Sequence, residues 1–299
     1  MPSSATIRRQ QRLMPGLLLL PALAVLVPMF GYPLYQLGLL SLFDYGQPQV
    51  SGGEPARFVG AGNFSNLFAD PAFWTVLGQT VVFAAGCVLV TLAVGATLAV
   101  LMTRIGKLAR TLLSYAALTA WAAPAMTGSV VWMFLFDSNL GLVNEVLGLD
   151  GHNWLYDRTV AFGLVGAVVV WHSFPFVMIT LYAGIQAVPP SVLEAAALDG
   201  AGPATAFRRI TVPMLRPLIA IVVIQSIIWD FKIFTQIYVM TRGGGIAGQN
   251  MVLNVYAYQK AFASSQYGLG SAIGIVMTLI LLVVTLCYLR ALRRTGEVL

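Results

Sequence analysis

Charged residues are scarce in this chain. Only 9% of its 299 residues are Asp, Glu, Lys or Arg, whereas a soluble globular protein has about 25%. So few charges cannot cover a surface that faces water, which argues against a soluble enzyme, a secreted disulfide scaffold and a disordered protein. Because 58% of the residues are hydrophobic, the composition indicates an integral membrane protein.

Cysteine is also rare. The two cysteines, Cys87 and Cys287, lie inside apolar runs and are 200 residues apart in the sequence. A role as small apolar residues within helices accounts for both of them. We therefore predict neither a disulfide nor a metal site.

Lysine and histidine are too few to supply the usual catalytic motifs. None of the three lysines stands in a G-x-x-x-x-G-K-[ST] sequence, so this chain cannot hydrolyse ATP through a P-loop. The two histidines, His152 and His172, share no motif spacing, and neither H-E-x-x-H nor G-x-S-x-G occurs. The sequence thus predicts no catalytic residue, no metal ligand and no cofactor bound by this chain.

Long apolar runs are what the chain has in quantity. A bilayer core about 30 Å thick requires a helix of about 20 apolar residues. Six runs reach this length, and only the fifth contains charges, Asp230 and Lys232. The runs cover residues 13–40, 73–103, 111–136, 159–193, 218–241 and 261–289. Since their hydrophobicity is continuous and does not alternate, the pattern predicts six transmembrane helices and no membrane barrel.

The first run also has features of a signal peptide. Arg8, Arg9 and Arg12 precede it, and the sequence at residues 22–24 resembles a cleavage site with small residues. The run then continues for another 16 residues, whereas the apolar region of a signal peptide has about 7 to 15 in all. We therefore interpret it as an uncleaved membrane anchor.

The distribution of charges predicts the orientation in the membrane. The N-terminus, the second-to-third loop, the fourth-to-fifth loop and the C-terminus carry twelve basic and three acidic residues, a balance of +9. The opposite loops carry four basic and seven acidic residues, a balance of −3, which leaves the net charge of +6. Because basic loops favour the cytoplasm, both termini are predicted to be cytoplasmic, and no nucleic acid partner is needed to explain the basicity.

These patterns predict an organisation in three parts. Residues 1–12 form a cytoplasmic tail, residues 13–289 form the transmembrane domain, and residues 290–299 form a second cytoplasmic tail. Within the domain, residues 188–217 form a long cytoplasmic loop.

That loop has a helical pattern of its own. Ser191 with Glu194 three residues later is the sequence of a capping box, and the alanine-rich stretch that follows favours a helix. Gly200 and Gly202 end this helix, and Pro203 can begin a second one. The pattern predicts a compact helical hairpin below the membrane. The residues leave open whether it docks onto another protein or lies at the membrane surface as an amphipathic hairpin without a partner.

The loop resembles the cytoplasmic signature of permease subunits of binding-protein-dependent ABC importers. The matching residues are Glu194, Ala195, Ala196, Asp199, Gly200, Ala201, Phe207, Ile210, Pro213 and Pro217. The stretches 132–147 and 231–245 resemble the carbohydrate branch of these importers, in the type of the larger maltose permease. Arg242 and Ile246 depart from the usual glycine and proline pattern of the outer loop.

The resemblance implies an all-α permease fold of six transmembrane helices with a cytoplasmic coupling helix between the fourth and fifth. It also implies a location in a bacterial inner membrane and a set of partners: a second permease, two ATPase subunits that bind ATP and Mg²⁺, and an external solute-binding protein that delivers a sugar. The coupling residues that it implies are Glu194, Ala195, Ala196, Asp199, Gly200, Ala201, Phe207, Arg208, Arg209 and Pro213.

Two helix faces are candidates for the substrate path, since polar or aromatic residues within a membrane span indicate a functional site. Their helical spacing groups Val169, Ser173 and Phe176 on the fourth span and Ser226, Trp229, Asp230 and Ile233 on the fifth. Ser173 and Asp230 both lie roughly 20 Å from the cytoplasmic boundary at 1.5 Å per residue. Aromatic faces beside a carboxylate suit a sugar.

Several alternatives remain at this stage. Asp230 could act as the proton relay of a secondary transporter, or it could pair with a neighbouring span without touching substrate. A polyol or a glycerol phosphate could replace the sugar. His172 fits a hydrogen-bonded core residue, and Gly270 with Gly274 fits plain helix packing.

Overall fold

The chain is almost entirely helical in a computed structural model that describes residues 4–294 and the side chains of residues 18–292. Arg8, Arg9, Arg12, Arg293, Arg294 and Glu297, whose charges enter the predicted orientation, lie outside the described side chains. The first part of the chain contains α1 (Ser4–Ser41), β1 (Phe43–Asp44), α2 (Gln47–Val50), β2 (Arg57–Phe58), α3 (Gly62–Ala69), α4 (Pro71–Arg104), α5 (Lys107–Ala122), α6 (Ala125–Leu135) and α7 (Leu142–Leu147).

The second part contains α8 (Arg158–Gln186), α9 (Pro190–Leu198), α10 (Pro203–Ala206), a π-turn (Phe207–Thr211), α11 (Val212–Met214), α12 (Arg216–Phe231), α13 (Thr235–Met240), a 3₁₀ turn (Ile246–Gly248), α14 (Leu253–Tyr258), a second π-turn (Gln259–Ala263) and α15 (Tyr267–Arg294). Five spans in the described residues are long and apolar enough to cross a membrane, and α5 with α6 supplies a sixth as a bent pair.

The third span is broken, whereas the apolar run 111–136 predicts one continuous helix. Helices α5 and α6 meet at an angle of 103°. Ala123 has an extended backbone with φ −63° and ψ 135°, as expected for a residue before a proline, and Pro124 then precedes α6. The proline therefore ends one helix and begins the next inside an uninterrupted apolar run.

The fifth span is also broken. Helix α12 ends at Phe231 and α13 begins at Thr235, with Lys232 as the C-cap of α12 at φ −91° and ψ 11°. Ile233 lies in this break, so its predicted place one turn beyond Asp230 on the same helix face is wrong. The break interrupts the helical period before it reaches Ile233.

Two other span boundaries differ from the apolar runs. The fourth span ends at Gln186, not at residue 193, because Pro189 is extended and α9 begins at Pro190. The sixth begins at Tyr267, not at residue 261, because residues 259–263 form a π-turn. Hydropathy extends across both boundaries because the flanking segments are themselves apolar.

Residues 1–69 and 260–276 form one compact unit. In α1, every residue from 18 to 35 is exposed. The β1–β2 pair is held by Asn63, whose side-chain amide donates to the carbonyls of Ser41 (2.9 Å) and Phe43 (2.8 Å). A Cβ on Gly270 would lie 2.6 Å from Ala261 Cβ, and one on Gly274 would lie 3.4 Å from Leu37, which agrees with a packing role for both glycines.

Residues 70–259 and 277–299 form the second unit. Helix α4 packs along α8, and α12 packs against both. Their shared core contains Ala99, Val177, Leu181 and Val222. Gly95 permits the close approach of α4 to α8, because a Cβ there would lie 2.6 Å from Val177. This three-helix core positions the side chains described next.

Candidate functional site

The segment between α8 and α12, predicted to be cytoplasmic, forms a helix, a tight turn and a second helical stretch. Helix α9 ends at Leu198, and Gly200 follows with φ +81°, a left-handed conformation that favours glycine. The N–H of Ala201 donates to the carbonyl of Ala196 at 2.9 Å and closes the turn. Pro203 occupies the first turn of α10, as its fixed φ predicts.

The capping box predicted at the start of α9 is wrong. Pro189 is the N-cap residue, no side chain caps the helix, and Ser191 lies within the first turn. Pro190 explains the difference, since proline is favoured at the first helical position, where its missing N–H has no intrahelical acceptor. The helix therefore begins two residues earlier than a serine cap requires.

Most of the predicted coupling residues lie on the surface of this segment. Ala196 is buried, Ala201, Phe207 and Pro213 are half-buried, and the other six are exposed. Among the described side chains, none of the charged residues at positions 194, 199, 208 and 209 forms an ion pair. Leu198, which the sequence analysis did not single out, is 90% exposed. Its signal in the sequence was a leucine at the end of an alanine-rich helix, immediately before the turn.

The candidate path residues meet where α8 packs against α12. The rings of Phe176 and Trp229 lie with centroids 5.1 Å apart at an interplanar angle of 61°. These two residues and Ser173 are half-buried. The other four candidates, Val169, Ser226, Asp230 and Ile233, are buried. The accessible part of the site is therefore an aromatic pair with one hydroxyl beside it.

Comparison with known proteins connects these two sites. The profile of the family described as "Binding-protein-dependent transport system inner membrane component" matches residues 92–295, which include both the cytoplasmic segment and the aromatic pair. The chain belongs to this family. It is a multi-pass permease subunit of the inner membrane, a transport component and not an enzyme.

Individual relatives cover most of the permease. The diacetylchitobiose uptake system permease protein DasB of Streptomyces coelicolor is 36% identical over 97% of this chain and 89% of its own length. The trehalose/maltose transport system permease protein MalF of Thermococcus litoralis is 32% identical over 78% of this chain and 79% of its own. A crystal structure of a bacterial alginate ABC transporter, in complex with alginate pentasaccharide-bound periplasmic protein, contains a chain with the same fold. The TM-score is 0.81 at 19% identity, and the match covers 98% of each chain.

Asp230 of the permease is buried. Its side chain is 2% exposed and interacts electrostatically with Cys87 of α4. Its Oδ2 atom has no hydrogen-bond partner, and the same holds for Oγ1 of Thr91, one helical turn from Cys87. Asp230 is therefore an enclosed acid near α4, whereas Lys232, in the break of the fifth span, is exposed.

The segment that follows α13 is fastened to the outer ends of α4 and α8. The Asn250 amide donates to the Arg158 carbonyl (2.8 Å), and Thr80 accepts from the Leu253 N–H (2.8 Å). The Tyr256 hydroxyl donates to the Asp70 carboxylate (2.8 Å). Burial, together with this hydrogen bond, raises the pKa of Tyr256. These tethers hold the segment against the N-terminal parts of α4 and α8.

The loop between α6 and α8 is organised around Asn144. Its amide donates to the His152 carbonyl at 2.8 Å, and its Oδ1 atom accepts from the Trp154 indole at 2.6 Å. At the start of the loop, the N–H groups of Leu140 and Asn139 donate to the Asp137 carboxylate and lower its pKa. His152 is thereby assigned to loop structure, with its ring 4.8 Å from that of Trp154.

Proposed function

We propose that this permease forms half of the translocation path of an ATP-driven sugar importer. The observation that carries the proposal is the contact between Phe176 and Trp229 at the packing of α8 against α12. Aromatic rings can stack on the C–H faces of a sugar, and the Ser173 hydroxyl can both donate to and accept from its hydroxyl groups. The names of the two relatives, a diacetylchitobiose and a trehalose/maltose system, support a carbohydrate substrate.

In this proposal the buried candidates have a different role from the accessible ones. Ser173, Phe176 and Trp229 contact the substrate. Val169, Ser226, Asp230 and Ile233 form the wall behind them and set the position of the helices.

In this proposal the cytoplasmic segment couples the conformational change of the ATPase subunits to movement of the permease. Two ATPase subunits bind ATP and Mg²⁺, and a cleft on one of them receives α9 and the turn at Gly200. Glu194 pairs with a basic or polar group of the ATPase, and the exposed Leu198 supplies apolar contact. A second permease completes the path, and an external binding protein delivers the sugar, as in the alginate importer that shares this fold.

The positions of the charges support an orientation with both termini in the cytoplasm. Basic residues favour the cytoplasmic side, and the segment 188–217 carries Arg208, Arg209 and Arg216. This orientation places the coupling segment on the same side as the ATPase subunits.

A phosphorylated polyol such as a glycerol phosphate is the second candidate substrate. Lys232 favours it, because this exposed ammonium group lies three residues from Trp229 in the break of the fifth span. A phosphate group would pair with it, whereas a neutral sugar would use it only as a hydrogen-bond donor.

Reconstitution of the importer tests the proposal. The permease, its partner permease, the ATPase and the binding protein are assembled in proteoliposomes and offered maltose, trehalose, N,N′-diacetylchitobiose, alginate pentasaccharide or glycerol 3-phosphate. We expect one of the sugars to stimulate ATP hydrolysis and to accumulate inside. Stimulation by glycerol 3-phosphate alone would establish the second candidate, and no response to any sugar would contradict the first.

A pair of variants tests the coupling segment in the same preparation. We expect Gly200→Asp and Glu194→Lys to insert normally, to lose association with the ATPase and to reduce uptake at least tenfold. Gly202→Ala is the matched control, because Gly202 has φ −66° and a Cβ there would meet no atom within 4 Å. Normal uptake by both charged variants would contradict the assigned coupling role.

A further inference from the structure

Three aromatic side chains cluster at the break of the fifth span, on the side away from the coupling segment. Phe234 and Tyr238 are stacked, with ring centroids 5.0 Å apart at an interplanar angle of 16°. The Tyr258 ring lies 5.2 Å from each of them. Phe234 and Tyr238 come from the break and from α13, whereas Tyr258 ends α14. We call these three residues the outer aromatic cluster.

Polar groups surround this cluster. The hydroxyl group of Tyr238 interacts electrostatically with that of Tyr258. The Asn254 amide donates to the Lys232 carbonyl at 2.8 Å, and the Gln259 amide donates to the carbonyl of Gly243. Rings, hydroxyls and amides are therefore brought together on one short stretch of the permease, next to the backbone of Lys232.

The cluster is accessible, which is unusual for aromatic residues that only fill a core. Tyr258 is 38% exposed, and Phe234 and Tyr238 are half-buried. In the same segment, Met251, Val252, Leu253 and Val255 are buried and already supply the apolar packing of α14. The cluster is therefore not needed to complete that core.

The cluster continues the path that the Phe176–Trp229 pair begins. Trp229 and Phe234 are five residues apart, which corresponds to roughly 8 Å along a helix and roughly 17 Å along an extended chain. A short oligosaccharide can bridge this distance. Both groups share the same chemistry, aromatic faces beside hydroxyl groups.

We infer that the outer aromatic cluster is a sugar subsite on the extracytoplasmic side of the path, which receives a pyranose ring before or while another ring occupies the Phe176–Trp229 pair. A pyranose presents C–H groups on its face, which stack on aromatic rings, and hydroxyls at its edge, which pair with tyrosine hydroxyls and amides. The inference rests on the proposed sugar-importer function.

The test uses the reconstituted importer, with its binding protein, and whichever sugar of the panel stimulates ATP hydrolysis most. We expect Phe234→Ala and Tyr258→Ala each to reduce sugar uptake at least fivefold, and Tyr258→Phe, which keeps the ring, to reduce it less. Tyr156→Ala is the matched control, because Tyr156 lies on the loop before α8 and is 69% exposed. It should transport like the parent protein.

Two further measurements separate a subsite from a structural role. ATP hydrolysis in the absence of sugar and the melting temperature of the complex should stay unchanged in all four variants. If the active sugars include oligosaccharides of different length, the loss should be greater for the longer one, which can occupy both positions.

The outcomes distinguish the inference from the proposed function. A parent importer that responds to a sugar while Phe234→Ala and Tyr258→Ala transport normally would overturn the inference and leave the function intact. If the variants lose uptake and also have a lower melting temperature or slower sugar-free ATP hydrolysis than the parent protein, the inference is also overturned, since these changes indicate a structural role. A parent importer that responds to no sugar would overturn both.

Discussion

Asp230 shows what helical spacing reveals about a single residue and what it does not. The sequence predicts that the helix faces that carry Ser173 and Asp230 lie at the same depth, and the structure brings Trp229, the neighbour of Asp230, onto Phe176. The sequence does not reveal which of these two neighbours faces Phe176, because neighbouring residues on a helix point in directions about 100° apart. The packing of α12 against both α4 and α8 answers this question, because it brings Trp229 onto Phe176 and leaves Asp230 buried.

Replacement of this carboxyl group gives a prediction at the residue scale. Asp230→Asn keeps the shape of the side chain and removes a buried acid whose Oδ2 atom has no partner. Because a carboxylate costs more to bury without a partner than a neutral amide does, we expect it to raise the stability of the permease and to preserve uptake. The melting temperature of the purified complex and sugar uptake provide the measurements.

A second substitution serves as its control. Ser173→Ala removes a half-buried hydroxyl from the accessible face of α8 and should lower uptake without raising the melting temperature. If Asp230→Asn abolishes uptake at an unchanged melting temperature, the carboxylate takes part in transport and its assignment to the wall is wrong.

At the scale of whole elements, the apolar runs predict where helices exist but not where they break. The run 111–136 contained its signal, since Pro124 favours an extended residue before it. The run 218–241 contained only a weak signal of its break, the polar residue Lys232, because lysine does not by itself end a helix. A hydropathy average reports burial in lipid, and a broken helix and a straight one bury the same residues.

The contact of α4 with α8 gives a prediction at this scale. A Cβ on Gly95 would lie 2.6 Å from Val177 and 3.1 Å from the Met178 nitrogen, whereas one on Gly86 of the same helix would meet nothing within 4 Å. We expect Gly95→Ala to force the helices apart and to cost about 1 to 3 kcal/mol, as other overpacked cores do.

Gly86→Ala is the matched variant. It gains helix propensity of up to about 1 kcal/mol without a clash and should melt at or above the temperature of the parent protein. Thermal unfolding of both variants in detergent tests the pair, and equal stability of the two would show that α4 and α8 do not pack this closely.

For the whole molecule, the membrane makes sequence prediction effective. Each span must be apolar, so the number of long apolar runs gives the number of spans directly. Basic residues are concentrated in the loops on the cytoplasmic side, so the charges of the loops predict the orientation. Six spans were predicted, and the described residues contain five that are long and apolar enough to cross a membrane and one bent pair. The segment 188–217 was predicted to couple to an ATPase from its motif, whereas the outer aromatic cluster was missed, because Phe234 and Tyr258 are far apart in sequence and ordinary in composition.

The orientation is the remaining prediction at this scale, and single cysteines can measure it. With Cys87 and Cys287 replaced by alanine, Leu198→Cys should react with a membrane-impermeant maleimide only in opened membranes. Ser138→Cys, in the loop after α6, should react in intact spheroplasts. The reverse labelling pattern would place the termini outside and contradict the proposed topology.

The break of the fifth span has a consequence for biosynthesis. A carbonyl freed inside a bilayer is costly unless a donor satisfies it, and the Lys232 carbonyl accepts from an amide 22 residues later in the chain. That donor, Asn254, is synthesised after every residue of the fifth span. The Lys232 carbonyl can therefore acquire this donor only after α14 has been synthesised and has folded against the break.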